Sequence, residues 1–123
     1  MLTDLLRNVD KIYIAYGATD FRKQTYSLCN IIKNKFNLNP YSRDAFIFCN
    51  KKRTSIKVLC YDRNGFVLAQ KTLINAEKMK FEWPRNKEEM KLITKEQLAW
   101  LLSGLKIYPK KYFKDIEPEK IAI

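Results

Sequence analysis

The stretch Asn50–Leu73, NKKRTSIKVLCYDRNGFVLAQKTL, decides the fold that this sequence predicts. Within it, Thr54–Tyr61 is rich in β-branched and aromatic residues and predicts a β-strand. Phe66–Leu73 predicts a second strand, and the intervening Asn64-Gly65 pair is the strongest short-range signal for a β-hairpin. A type I′ turn needs positive φ at both central residues, so we expect positive φ at Asn64 and at Gly65.

A third apolar run, Ala45–Cys49, lies upstream and completes a predicted three-stranded antiparallel meander. The predicted turn that follows this run carries three consecutive cations, Lys51, Lys52 and Arg53. We interpret this basic turn as a surface for binding, because cations held on a rigid turn suit contacts to phosphates. The alternative is an ordinary solvated turn between two strands.

The residues before the meander predict a strand and a helix. Asp10–Tyr16 is a short apolar strand. A helix is predicted to begin at Phe21, capped by Thr19 or Asp20, with apolar residues at helical spacing along one face. It should end before Pro40, because proline disfavours a helical residue before it.

The residues after the meander predict a second helix. Thr94 and Gln97 form a capping box for a helix over Ile93–Gly104, which a glycine ends. The alternation in Phe81–Pro84 is compatible with a short edge strand, where proline is tolerated. The predicted fold is therefore α+β, with a mostly antiparallel sheet in the order β-α-β-β-β-α and two packed helices.

The chain has 123 residues, which is typical of one domain. We expect a single domain over 1–105 and a basic tail over 106–123 without fixed structure of its own. No apolar run approaches the ~20 residues of a membrane span, and the N-terminus lacks a secretory signal pattern. A cytoplasmic protein without a membrane partner is expected. Cys29, Cys49 and Cys60 fit no metal-ligand spacing and are predicted to be reduced, buried thiols.

The net charge is +11, from 24 Lys and Arg against 13 Asp and Glu. Residues 1–63 carry twelve cations against five anions, whereas residues 64–105 and 106–123 each add only +2. Most of the positive charge therefore belongs to the front half of the predicted domain. This distribution favours an anionic partner, nucleic acid first. The alternative is a lysine-rich surface that serves solubility.

The sequence offers little material for catalysis. It has no histidine, which removes the commonest general base and metal ligand, and its three glycines form no phosphate-binding loop. Asp20 and Asp62 are carboxylates available for metal-dependent phosphoryl chemistry, but a helix cap and a turn explain them adequately. We expect no enzymatic activity, no cofactor, no metal and no small-molecule substrate.

The candidate nucleic-acid-binding residues are cations of the front half that can contact phosphates. They are Arg22, Lys23, Lys51, Lys52, Arg53, Lys57 and Arg63. Aromatic side chains offer base stacking as a further alternative. Most of them are better interpreted as core at this spacing. These are Tyr13, Tyr16, Phe66, Phe81, Trp83 and Trp100.

Six motifs in this order resemble a known family. They are Gly17-Ala18-Thr19-Asp20-Phe21-Arg22-Lys23, Phe48-x-Asn50-Lys51-Lys52-Arg53, Ile56-Lys57-x-Leu59-x-x-Asp62-x-Asn64-Gly65-Phe66, Lys71-x-Leu73, Phe81-x-Trp83-Pro84 and Leu92-x-Thr94-x-x-Gln97-Leu98-x-x-Leu101-Leu102-x-Gly104. From about Ile12 to Gly104, the chain resembles the TnpB accessory proteins of the sixty-six family of bacterial insertion sequences. These differ from the RNA-guided nucleases that share the name TnpB.

The resemblance implies an accessory protein for transposition, encoded beside a separate, larger transposase that carries the catalytic carboxylates. It supplies no catalytic or ligand residues to transfer to this chain. The expected function is non-enzymatic binding of the DNA ends of the element, of the transposase, or of both, through a basic surface. The alternative is a protein–protein adaptor of the transposase with little DNA binding of its own.

Overall fold

The computed structural model describes residues 5–74, 80–85 and 89–103. The first elements are strand β1 Ile12–Ala15 and helix α1 Thr25–Asn30, and α1 continues as a π-helical segment over Ile31–Lys35. Strands β2 Ala45–Cys49, β3 Ser55–Asp62, β4 Gly65–Thr72 and β5 Met90–Ile93 follow, and helix α2 Lys95–Leu102 is last. The strands form one sheet in the order β4-β3-β2-β1-β5.

The sheet is mostly antiparallel, and the predicted α+β class is confirmed. β1 and β2 are parallel, and α1 provides the crossover that a parallel pair requires. The pairs β2–β3, β3–β4 and β1–β5 are antiparallel, so the predicted meander is present. The edge strand β5 was not predicted, because its four residues carry no strong strand pattern.

The central strands β2 and β3 are buried on both faces, which explains why their sequences are nearly continuous apolar runs. On one face, Leu28 and Ile32 of the α1 segment pack against Phe46, Phe48 and Leu59. These side chains project to that face because successive residues of a strand alternate.

The opposite face is covered by α2 and by the segment that precedes β5. Leu98 and Leu101 of α2, together with Phe81 and Trp83, form this second layer. The strand residues beneath it include Ile12, Ile14, Ile47, Ile56 and Val58. The sheet is therefore the middle layer of three.

Phe81–Pro84 is not an edge strand, and that interpretation is wrong. The Trp83 indole N–H donates to the Ala15 carbonyl at 2.7 Å, and the Phe81 backbone N–H donates to the Arg53 carbonyl at 2.8 Å. Both rings are buried, so this segment packs as part of the second layer. Burial of the rings outweighs the weak strand pattern.

The start of α1 also differs from the prediction, since the helix begins at Thr25 and not at Phe21. The Asp20 carboxylate accepts the backbone N–H of Arg22 at 3.0 Å and thereby closes a local turn. Local side-chain bonds of this kind compete with helix formation. The predicted end is confirmed, because helical structure stops at Lys35.

The capping box of α2 is confirmed. The Thr94 hydroxyl accepts the Gln97 backbone N–H at 3.0 Å, and the Gln97 side-chain carbonyl accepts the Thr94 backbone N–H at 3.0 Å. The predicted glycine stop at Gly104 and the predicted tail over 106–123 lie outside the described residues. Within the part of the chain that is described, no helix is long and apolar enough to cross a membrane.

The three cysteines are free thiols, as predicted, although Cys29 is only half-buried. Burial raises the pKa of Cys49 to about 12 and that of Cys60 to about 11. Both thiols therefore stay protonated at neutral pH, and a protonated thiol is a poor nucleophile.

The register of the β3–β4 hairpin differs by one residue from the predicted type I′ turn. Asp62 pairs with Gly65, so the two loop residues are Arg63 and Asn64. Arg63 has φ of 56°, whereas neither Asn64 nor Gly65 has positive φ, so the prediction of positive φ at these two residues is wrong. Tyr61 pairs directly with Phe66, with ring centroids 5.1 Å apart, whereas the predicted turn would place Phe66 opposite Arg63 and lose this direct pair. Aromatic packing therefore outweighs the turn preference of Asn-Gly.

This register predicts which turn residue is sensitive to a β-branched side chain. Arg63→Val should destabilise the protein by roughly 1–3 kcal/mol, because β-branched residues are outliers at positive φ. Gly65→Val should change the free energy of unfolding by less than about 1 kcal/mol, since a Cβ there meets no atom within 4 Å. Urea unfolding of the two variants makes the comparison. A larger loss of stability in Gly65→Val would contradict the observed register.

Candidate nucleic-acid interface

The basic turn between β2 and β3 is held by the side chain of Asn50. Its carbonyl oxygen accepts the backbone N–H groups of Thr54 at 2.8 Å and Ser55 at 3.0 Å. Its amide group donates to the Thr54 hydroxyl at 3.0 Å. One side chain thus satisfies the backbone at the end of the turn, which fixes the turn against the sheet.

The backbone of the turn is further fixed at Arg53. Its N–H donates to the Asn50 carbonyl at 3.1 Å, and its φ is 62°, a left-handed conformation. The Phe81 N–H bonds the Arg53 carbonyl, which ties the turn to the buried segment beneath the sheet. Lys51 and Lys52 are exposed, and Arg53 is half-buried. Exposed cations therefore stand on an ordered backbone.

The loop that follows β1 lies beside the basic turn. The Thr19 N–H donates to the Cys49 carbonyl at 2.8 Å, and the Gly17 N–H donates to the Pro84 carbonyl at 2.9 Å. An open groove of about 590 Å³ runs between this loop and the turn. Its lining residues are Ala18, Thr19, Asp20, Phe21, Arg22, Asn50, Lys51 and Lys52. Two of the six motifs thus meet at one surface.

Within the groove, Arg22 forms an ion pair with Asp20. The Nη2 atom of Arg22 lies 2.7 Å from Oδ2, and Nε lies 3.1 Å from both carboxylate oxygens. The side chains are 91% and 41% exposed, respectively. Hydrogen bonds from the side chain and the backbone of Arg22 lower the pKa of Asp20 to about 2. Asp20 is therefore charged at neutral pH and compensates the charge of Arg22.

Lys57 lies beneath this loop and is only 3% exposed. Its ammonium group donates to the carbonyls of Phe21 and Lys23, each at 2.9 Å, and lies 4.9 Å from the centre of the Phe21 ring. Burial lowers the pKa of Lys57, and the charge of Asp20 opposes this effect. These contacts give Lys57 a structural role, because its ammonium group holds the backbone on both sides of Arg22.

The structure brings only some of the seven predicted residues together. Arg22, Lys51 and Lys52 line the groove, and Arg53 follows them in the turn. Lys23 lines an adjoining depression of about 100 Å³, which shares Ala18, Thr19 and Asp20 with the groove. These positions place the proposed interface at one end of β2 and β3.

Arg63 lies at the other end of the molecule. It follows β3, whereas the basic turn precedes this eight-residue strand, so the two sites are roughly 24 Å apart. At this separation Arg63 does not line the groove and would contact a different segment of a bound duplex.

Arg85 is a cation at the basic turn that the sequence analysis missed. Its Nη2 atom donates to the carbonyl of Lys51, and its side chain is exposed. The contact joins residues 34 positions apart and depends on the burial of Phe81 and Trp83, which carries Arg85 to the turn. The nearest sequence signal is the position of Arg85 directly after the Phe81-x-Trp83-Pro84 motif.

The aromatic residues considered for base stacking belong mainly to the two apolar layers. Phe81 and Trp83 are buried, and Tyr13 stacks on Phe46 with ring centroids 5.5 Å apart. Tyr16 and Phe66 are half-buried against the same layers. For these residues, the interpretation as core is confirmed.

Two candidate carboxylates lie far apart in the fold. Asp20 lines the groove, whereas Asp62 ends β3 at the opposite end of the sheet. Two-metal phosphoryl transfer needs carboxylates around ions about 4 Å apart, which these two residues cannot supply together. Among the described residues, no group of three His, Cys, Asp or Glu side chains could hold a metal ion.

The fold and the groove define a small α+β protein that presents clustered cations on an ordered turn. The profile of the family described as IS66 Orf2 like protein matches residues 10–112, and the chain belongs to this family. Membership implies an accessory role in the transposition of IS66 insertion sequences. The resemblance inferred from the six motifs is thereby confirmed.

Two similar proteins come from Sinorhizobium fredii (strain NBRC 101917 / NGR234). The uncharacterized protein y4hO is 32% identical over 95 residues, which cover 77% of this chain and 80% of the relative. The uncharacterized protein y4jC is 27% identical over 95 residues, with coverage of 77% and 79%. No solved structure matches the chain.

The ion pair in the groove predicts an unusually acidic carboxyl group. Asp20 should titrate at about 2 in the folded protein, against an ordinary value of 3.8. Because the folded-state pKa is lowered, the pair stabilises the folded protein above pH 3.8, and this contribution is lost as the pH falls through about 2. Carbon-detected NMR titration of the Asp20 carboxyl group measures this pKa.

Two variants separate the causes of this shift. Arg22→Gln should raise the Asp20 pKa toward 3.8 without reaching it, because the backbone N–H of residue 22 still donates. Lys23→Gln is the matched control and should leave the Asp20 pKa nearly unchanged, since Lys23 is the smallest of its causes. Equal pKa changes in the two variants would show that general positive charge, and not the ion pair, lowers the pKa.

Proposed function

We propose that this protein is a non-enzymatic DNA-binding accessory factor of transposition, and that its groove and basic turn contact the phosphates of element DNA. The observation that carries the proposal is the grouping of Lys51, Lys52, Arg53 and Arg85 at one end of the sheet, beside Arg22. Phosphate contacts dominate the affinity of proteins for DNA, and clustered cations provide them.

The order of the turn supports this assignment. Asn50 fixes the backbone that carries Lys51 and Lys52, so little backbone freedom is lost when DNA binds. Within the described residues, no carboxylate forms an ion pair with either lysine. Their charges are therefore available for phosphates.

The separately encoded transposase is the second proposed partner, since an accessory protein acts within the reaction that the transposase catalyses. DNA bound through the groove leaves the opposite end of the sheet available for a protein. A protein that binds the transposase but not DNA would instead be an adaptor, and the experiments below distinguish that outcome.

The proposal predicts the salt dependence of binding. Each neutralised phosphate of B-DNA contributes about 0.9 to the slope of log K against log salt. Replacing Lys51, Lys52 and Arg53 together by alanine should flatten this slope by roughly two to three units. The loss should be similar for element ends and for random duplexes, because phosphate contacts carry no sequence information. Fluorescence anisotropy at several salt concentrations gives the slopes.

The matched control removes the same number and type of cations elsewhere. Lys11→Ala, Lys33→Ala and Arg63→Ala together delete two exposed lysines and one arginine with positive φ, as the turn variant does. This control should flatten the slope by less than about one unit. Equal slopes for the two triple variants would assign the binding to general charge. Absence of binding by the wild type, with retained binding to transposase, would favour the adaptor.

The non-enzymatic assignment predicts that the purified protein neither cleaves nor joins element DNA in Mg²⁺ or Mn²⁺. Asp20 is engaged by Arg22, and Asp62 lies at the other end of β3. Incubation with end-labelled element DNA, followed by denaturing gel electrophoresis, tests this expectation. Metal-dependent nicking that disappears in Asp20→Asn or Asp62→Asn would contradict it.

A further inference from the structure

We propose that Arg22 reads a guanine in the major groove of duplex DNA, and that Asp20 is the positioning residue that aims its guanidinium group. This inference rests on the proposed DNA-binding function and deepens it. It separates Arg22 from the turn cations, which supply affinity without sequence preference.

The geometry of the ion pair leaves the correct donors available. Asp20 bonds the side of the guanidinium group that carries Nε and Nη2. A guanidinium group has five N–H donors, so both N–H groups of Nη1 and the second one of Nη2 remain. The Arg22 side chain is 91% exposed, which places these donors in solvent. Two N–H groups in a fork match the O6 and N7 acceptors of guanine.

The carboxylate makes a phosphate the less suitable partner for Arg22. Asp20 is charged and lies within 2.7 Å of the guanidinium group, so an approaching phosphate meets a nearby negative charge. The guanine acceptors O6 and N7 carry no formal charge and meet no such repulsion. Arg22 is therefore suited to a base edge, and Lys51 and Lys52 are suited to phosphates.

The backbone that carries Arg22 is held on both sides. The buried ammonium group of Lys57 bonds the carbonyls of the two neighbouring residues, Phe21 and Lys23. The Thr19 N–H bonds the end of β2, and the Arg22 N–H bonds the Asp20 carboxylate. Recognition of one base requires a side chain that is fixed by supporting contacts, and this loop supplies them.

The arrangement also brings the two kinds of cation to one groove. The groove has the loop with Arg22 on one side and the turn with Lys51 and Lys52 on the other. Cations on the turn can follow the phosphates while the arginine faces the base edges, which is the usual division between positioning and specifying contacts.

The test begins with a pool of 20-base-pair duplexes whose central positions are randomised. The wild-type protein should enrich guanine at one position of the pool. A duplex with 7-deazaguanine at that position lacks the N7 acceptor but keeps O6, so it loses one of the two hydrogen bonds and should bind roughly 2- to 10-fold more weakly.

Three variants assign the roles of the residues. Arg22→Ala should bind the guanine and 7-deazaguanine duplexes equally and should keep a salt slope within about one unit of the wild type. Asp20→Asn should bind random duplexes more tightly, since it removes a negative charge, while its preference for guanine falls. The alanine variant of Lys51, Lys52 and Arg53 should show the reverse pattern, with a flatter slope and a retained preference for guanine.

The outcomes separate this inference from the proposed function. Binding of random DNA with a steep salt slope, but without guanine enrichment, would overturn the role of Arg22 and leave the proposed function intact. Guanine preference that survives in Arg22→Ala would also overturn it. Parallel losses of affinity for all duplexes in Asp20→Asn would overturn the positioning role of Asp20. Absence of any DNA binding by the wild type would overturn both proposals.

Discussion

The antiparallel pairing of β2 with β3 is the constraint on which the rest of the structure depends. Both strands are covered on both faces, by the α1 segment on one side and by α2 with Phe81 and Trp83 on the other. A doubly covered strand has little room for charged side chains along its length. Charges are therefore displaced to the connection between the strands, where Asn50 anchors a turn of three cations.

Lys57 links this core to the groove. It is the one charged side chain buried among the described residues, and an unpaired buried charge would be costly. Its ammonium group is satisfied by the carbonyls of Phe21 and Lys23, which belong to a loop more than 30 positions away in the chain. The requirement to solvate this charge therefore fixes the loop that carries Arg22. Core and binding surface share this contact.

Much of the fold was predictable because its signals are local. The apolar runs of the meander and the Thr94–Gln97 capping box depend on neighbouring residues, and both predictions are confirmed. The predicted hairpin register was wrong because the contact between the Tyr61 and Phe66 rings outweighs the preference of Asn-Gly for the central positions of the turn. The predicted start of α1 was wrong because the Asp20 carboxylate accepts the backbone N–H of Arg22 in a local turn and does not cap the helix.

The sequence by itself determined the number and rough location of the cations, the absence of histidine and the apolar runs that form the sheet. Only the tertiary structure decided which cations share a surface. It places Arg22 beside Lys51 and Lys52, and it sends Arg63 to the far end of β3. It also brings Arg85 to the basic turn. The physical reason is that these neighbours are set by the burial of apolar side chains across the sheet, which no local pattern encodes.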